Sequence, residues 1–219
     1  MKEIIVEDFY TFLKHIEDDS KTTIYRGQSN ESYKLIPKAF RGDYIKIDDR
    51  DAFNYFKRNS VIHFNVSITN DWEYLAFAQH YNIPTRLLDW SLNPLVALFF
   101  AVNEMKNENA CLFRYDYSGV GIVNLNDNPF ELTESGIYIP RAITNRILAQ
   151  KGLFTIHTKI ESETDSIFEN RITKFIFKEI LCEEIAHRLH RFGITFESLF
   201  PDLEGMSRYI EWRWLNRKK

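Results

Sequence analysis

Four stretches of the chain concentrate the residue types that bind or transform small polar ligands. Tyr25-Arg26-Gly27-Gln28 sets a guanidinium beside a glycine and an amide. An arginine at a strand end followed by glycine offers a bidentate cation next to open backbone, which suits a phosphate or a carboxamide. Gln79-His80 closes a segment in which Trp72, Leu75, Ala76 and Gln79 fall at i, i+3, i+4 and i+7. On a helix these four share one face, so Gln79 is carried on the apolar side. A buried amide must find partners for its donors and its acceptor. Two readings stand: an amide that ties down the following loop, or a cleft residue with His80 beside it. In the stretch 83–91, Thr85, Arg86, Asp89, Trp90 and Ser91 lie between apolar anchors. Arg86 and Asp89 either pair to fix that loop or act together on an anion, Arg86 holding it and Asp89 orienting it. Finally, Gln150 precedes Gly152-Leu153-Phe154.

The elements that carry these groups can be read from periodicity and punctuation. A helix is expected over 6–18, with Phe9, Phe12, Leu13 and Ile16 as its apolar stripe. A short strand over 22–25 ends at Arg26-Gly27. A second helix covers 48–64, and a third runs over 71–80 with Asp71 as its N-cap. The segment 85–91 is irregular or extended. Asn93-Pro94 opens a fourth helix in cap-then-proline order. Residues 110–115 and 120–123 read as a hairpin about Ser118-Gly119. A short helix over 141–150, strands over 152–158 and 171–177, and a helix over 178–192 stopped by Gly193 follow. From Glu197 the chain is helical apart from a turn near Pro201. Helices come first and strands cluster later, so an α+β fold is expected: a single domain over 1–219, with a small, mostly antiparallel central sheet flanked by helices.

Composition bounds the function. With 219 residues, 44% hydrophobic and 15% aromatic, the chain has material for a packed core. The net charge of −3 provides no global basic field for nucleic acid or an anionic membrane. Cys111 and Cys182 lie among apolar neighbours and read as free buried thiols of a reducing compartment. The first seven residues lack the apolar core of a signal peptide. The longest apolar run, about Pro94 to Val102, is short of the roughly 20 residues a bilayer needs. A cytoplasmic location and no membrane partner are expected.

Two further clusters compete for a role. Glu183, Glu184, His187 and His190 lie on one helix, but a two-metal bundle would need a second such motif, so a solvated face is the better reading and no metal is expected. His157 either points into the cleft or satisfies a local hydrogen bond.

Taken together, these stretches resemble the FRG domain, a bacterial family named for its (F/Y)-R-G motif. Tyr25-Arg26-Gly27-Gln28 matches the motif, and Leu35-Ile36-Pro37-Lys38-Ala39-Phe40-Arg41 follows it. Trp72-Glu73-Tyr74-Leu75-Ala76-Phe77-Ala78-Gln79-His80 leads into Pro84-Thr85-Arg86-Leu87-Leu88-Asp89-Trp90 and then Asn93-Pro94-Leu95-Val96-Ala97-Leu98-Phe99-Phe100-Ala101. Arg146, Gln150, Gly152-Leu153-Phe154 and Phe200-Pro201-Asp202-Leu203 complete the match, over roughly 20–210. A second resemblance, to ADP-ribosyltransferases of the Arg-Ser-Glu class, implies more. In that class the arginine grips NAD phosphate and the next residue's backbone holds the nicotinamide amide. Arg26 and Gly27 match these, with Ser91 or Thr85 as the hydroxyl. The catalytic glutamate has no clear counterpart. Gln150 occupies a similar place but cannot supply the charge that stabilises an oxocarbenium-like centre. Glu161-Ser162-Glu163 reads better as a solvated acidic loop.

The resemblance implies a cleft for NAD or a related nucleotide, with ADP-ribosyl transfer or NAD cleavage as its activity. Tyr25, Arg26, Gly27, Gln28, Thr85, Ser91 and Phe154 are then the binding candidates. Arg26, Gln79, His80, Arg86, Asp89 and Gln150 are the candidates for chemistry. The alternative is a non-catalytic recognition module for a protein or nucleic acid.

Overall fold

The computed structural model of the protein describes residues 1–63, 67–103, 108–142, 144–158, 166–168 and 170–216. Among them are seven strands: β1 (Lys2–Val6), β2 (Thr23–Gln28), β3 (Leu87–Ser91), β4 (Ala110–Asp116), β5 (Gly136–Tyr138), β6 (Gly152–Ile156) and β7 (Ile172–Phe177). They form one sheet in the order β1-β7-β4-β2-β3-β6-β5. Only β1 and β7 run parallel; the other neighbours are antiparallel. The helices are α1 (Phe9–Ile16), α2 (Asp49–Ser60), α3 (Asp71–His80), α4 (Pro94–Val102), α5 (Asn145–Ala149), α6 (Glu179–Arg191), α7 (Phe196–Leu199) and α8 (Leu203–Leu215). The architecture is α+β, a mostly antiparallel sheet flanked by helices. No helix among the described residues is long and apolar enough to cross a membrane.

Alternation along the strands sorts the core into layers. Tyr25, Leu112, Phe175 and Phe177 pack on one face against apolar residues of α1, α4 and α6. Ile24, Cys111, Phe113, Tyr115 and Ile172 point to the opposite face, where they meet Leu88, Trp90, Leu153 and Phe168. Towards the β5 end, Leu87, Tyr138, Phe154 and Ile156 pack with Phe53 of α2 and with Trp72, Leu75 and Ala76 of α3. Both cysteines are free and buried.

Helix α4 sets the centre of the molecule. Asn93 caps it by accepting from the Leu95 N–H at 2.9 Å, and Pro94 fills the first position. Six of its nine residues are buried, so it lies directly against β2. Gly27 permits that approach: a Cβ there would stand 1.9 Å from the Ala97 carbonyl oxygen and 2.7 Å from the Ala101 nitrogen.

Several boundaries differ from the sequence reading. The first helix starts at Phe9, capped by Asp8, because residues 2–6 add a strand alongside β7. Strand β2 does not end before Arg26-Gly27 but runs through them to Gln28, paired with β4 along its whole length. Helix α2 ends at Ser60 and is continued by a short 3-10 turn, Val61–His63. The cap of α3 is Asn70, whose side chain accepts from the Glu73 N–H at 3.0 Å, and Asp71 is its first residue. The hairpin about Ser118-Gly119 does not form. Both edges of β4 are taken by β2 and β7, and the 120–123 segment makes only a bridge from Ile122 to Ile137. The 141–150 helix contracts to Asn145–Ala149 behind a Thr144 cap. Residues 161–163, read as an acidic loop, lie outside the described residues.

Candidate functional site

A cleft of about 610 Å³ opens where β2 and β3 part. The two strands are paired at one position, Tyr25 with Ser91. Beyond it, residues of both strands line the cleft, together with the end of α3, one face of α4, residues of α5 and β6, and Phe200. Ten of the twelve residues singled out from the sequence line it: Tyr25, Arg26, Gly27, Gln28, Gln79, His80, Asp89, Ser91, Gln150 and Phe154. Thr85 and Arg86 do not.

Arg26 reaches across the parting. Its Nη1 donates to the Asp89 backbone oxygen at 2.7 Å and faces the Asp89 Oδ2 at 3.3 Å. Its Nε is buried and has no acceptor. The Gln79 Nε2 donates to the same Asp89 Oδ2 at 2.8 Å. The Thr85 hydroxyl donates to the Gln79 Oε1, and accepts from the Leu87 N–H at 3.2 Å. The Asp89 carboxylate can only accept, so the Gln79 NH2 must face it, and the Gln79 Oε1 is left to accept from the Thr85 hydroxyl. Thr85 is thus a buried support of the cleft, not part of its surface. Gln79 is half-buried and serves both sequence readings at once: it ties the loop and borders the cleft.

The expected grouping of Arg86 with Arg26 and Asp89 is corrected by its partner. Arg86 donates through Nε and Nη2 to the two carboxylate oxygens of Asp49 at 2.7 and 2.6 Å. The pair is largely buried, with side-chain exposures of 12% and 9%, and the guanidinium lies 4.6 Å from the Phe130 ring centre. This fork joins α2 to the residue before β3, away from the cleft.

The other candidates are held in different ways. The Ser91 hydroxyl donates to the Gln150 backbone oxygen at 2.7 Å and accepts from the Asn93 N–H at 3.0 Å, so it works within the turn between β3 and α4. Gln150 ends α5, and its Nε2 donates to the Leu199 oxygen at 3.2 Å. Phe154 stacks on Tyr138 with ring centres 5.8 Å apart. The Tyr25 hydroxyl donates to Asp19, and burial first, then that acceptor, push its pKa well above the usual phenol range. Gln28 is buried, its Nε2 lies 3.5 Å from the Lys34 oxygen, and its Oε1 has no donor. Burial and then the charge of Arg146 lower the pKa of His80, against the opposing pull of Asp202 and Asp89. Both effects favour the neutral imidazole of His80.

Among the lining residues that the sequence reading gave no role are Arg41, Arg146 and Phe200. Arg41 holds its place by donating Nε to the Ile36 carbonyl. Desolvation on its cleft side and then the nearby charge of Arg26 lower its pKa, outweighing Asp89 and Tyr33, although the residue as a whole is exposed. Arg146 pairs with Asp202 at 2.7 Å and Glu204 at 3.0 Å, 4.9 Å from the Phe200 ring centre. Phe200 is itself part of the wall. A lone arginine in a loop carries no sequence signal of direction, which is why Arg41 could be quoted but not placed.

The competing sites resolve away from the cleft. His157 is fully buried within 2.7 Å of the Thr155 hydroxyl, which also accepts from the Trp90 indole N–H at 2.9 Å. His190 stacks on Trp212 with ring centres 3.4 Å apart, and His187 lies 4.0 Å from Glu183. Among the described residues no group of His, Cys, Asp or Glu could hold a metal.

A model of the FRG domain family matches residues 21–110. No curated protein and no solved structure matches the chain. The matched segment holds β2, α2, α3, β3 and α4, and hence Arg26, Gln28, Arg41, Gln79, His80 and Asp89. Arg146, Gln150, Phe154 and Phe200 come from beyond it. Residues 21–110 therefore match the FRG domain, and that segment supplies the Arg26, Gln79 and Asp89 corner of the cleft.

Proposed function

We propose that the cleft binds a phosphate-bearing nucleotide ligand of the NAD type. One observation carries this reading: Arg26 lines the cleft, and among the described residues only its Nη1 has a partner, while its buried Nε has no acceptor. A buried guanidinium N–H left unpaired costs free energy, and a phosphate oxygen is a natural acceptor for it. The concave shape and the partly exposed aromatic rings of Phe100 and Phe200 suit a base and its sugar better than a flat macromolecular contact would. ADP-ribosyl transfer or NAD cleavage is the activity that such a ligand would permit. Asp89, the one carboxylate lining the cleft among the described residues, is then the group placed to stabilise positive charge at the sugar. Gln150 contributes an amide and no charge.

Calorimetric titration with NAD and ADP-ribose tests the reading. The wild type should bind, and Arg26→Ala should weaken binding by roughly 2–4 kcal/mol, about 30- to 1000-fold. Its unfolding free energy should change by only about 1 kcal/mol, because the Asp89 partner is 56% exposed and stays solvated. A wild type that binds neither compound sinks the nucleotide reading and favours a recognition module.

A further inference from the structure

Three guanidinium groups line the cleft, and they differ in what already neutralises them. Arg146 has two carboxylates, Asp202 and Glu204, at 2.7 and 3.0 Å. Arg26 shares Asp89 with the Gln79 amide and keeps an empty Nε. Arg41 is anchored only by a backbone carbonyl, that of Ile36, which fixes the guanidinium but brings no full charge. Among the described residues no carboxylate lies within ion-pair distance of Arg41, so Arg26 and Arg41 together present two cations against one carboxylate. Two like charges facing one concavity repel each other unless an anion lies between them. Arg41 feels that repulsion, since the Arg26 charge is the second cause of its lowered pKa.

We infer, on the footing of the nucleotide reading above, that Arg41 is a second anion-binding arm of the cleft and that the ligand it selects carries a diphosphate, one phosphate on Arg26 and the next on Arg41. Each guanidinium has donors to spare: Arg26 its Nη2, which none of its hydrogen bonds uses among the described residues, and Arg41 the edge not used by the Ile36 carbonyl. Two planar forks facing one cleft match two adjacent tetrahedral anions better than one. Arg146 is left as a wall residue, because a phosphate there would have to displace Asp202 and Glu204. Selection by charge count then separates nucleoside diphosphates and dinucleotides from monophosphates.

The test compares AMP with ADP, and inorganic phosphate with pyrophosphate, by calorimetry on the full chain at fixed ionic strength. ADP should bind at least about 30-fold tighter than AMP. Arg41→Gln should reduce ADP to the level of AMP while leaving AMP within about 3-fold. Arg41→Lys, which keeps the charge and loses the fork, should fall between. Thermal unfolding of both variants should match the wild type, since the Arg41 side chain is on the surface. Equal binding of AMP and ADP by the wild type, or an equal loss of both in Arg41→Gln, overturns the inference and leaves the nucleotide reading standing. If neither nucleotide binds but pyrophosphate exceeds phosphate in an Arg41-dependent way, the nucleotide reading falls and the two-armed anion site remains. Binding of none of the four overturns both.

Discussion

Arg26, within β2, and Arg86, just before β3, show how two residues of one type on the same sheet take opposite tasks. Arg26 meets an acceptor that is half in water and keeps a donor unused. Arg86 meets a buried carboxylate with both prongs and closes a contact between α2 and the start of β3. Removing one member of a largely buried pair strands the other without solvent. Arg86→Ala should therefore destabilise the fold by about 3–5 kcal/mol in a denaturant titration, leaving Asp49 uncompensated. NAD affinity per folded molecule should stay unchanged, because Arg86 does not line the cleft. A variant of wild-type stability that has lost the ligand would place Arg86 in the site after all. The hydroxyl of Thr85 and the amide of Gln79 belong to this scale too. They set the Asp89 carboxylate through a chain of two hydrogen bonds, so the orientation of a cleft group is decided by a residue outside it.

At the scale of elements, the glycine of the Tyr25-Arg26-Gly27 motif has a packing cause. It is extended backbone inside β2, and its work is to let α4 lie on the strand. The atoms that a side chain would strike belong to the α4 backbone, which cannot give way without shifting the helix. Gly27→Ala should cost at least about 2–3 kcal/mol, the scale of overpacking in a filled core. The measurement is the midpoint and slope of denaturant unfolding; a variant as stable as the wild type would show that α4 can lift away. The same contact holds Phe100 and Ala97 against the cleft, so the motif couples the packing of α4 to the shape of the site. An alternation of inward and outward residues along β2 does the rest: Tyr25 and Gly27 face α4, while Ile24 packs in the layer on the other side.

For the whole molecule, the decisive fact is that the two strands that part at the cleft find their outer partners beyond the matched segment. The segment 21–110 holds β2 and β3, but their outer partners β4 and β6 lie at 110–116 and 152–156. Without them, β2 and β3 share one paired position and expose apolar faces. A fragment of residues 21–110 alone should show no cooperative unfolding transition by circular dichroism, whereas the full chain should show one. A sharp transition in the fragment would mean that the matched segment folds by itself.

Much of this was present in residue types and local order. The helical stripe of Trp72, Leu75 and Ala76, the Asn93-Pro94 start of α4, the stop at Gly193 and the polar residues set in apolar stretches at Arg26, Gln79 and Asp89 all follow from interactions within a few positions of the chain. Such signals are local, so the sequence by itself determined them. What only the tertiary structure decided depends on partners far along the chain. Residues 2–6 are a strand because β7, some 170 positions away, offers an edge. Arg86 turns from the cleft because Asp49 lies 37 positions back on a helix that happens to pack there. Arg41 enters the cleft because Ile36 fixes its guanidinium in a loop with no periodicity to read. The direction of a charged side chain is set by the nearest desolvated opposite charge, and that neighbour exists only once the chain has closed.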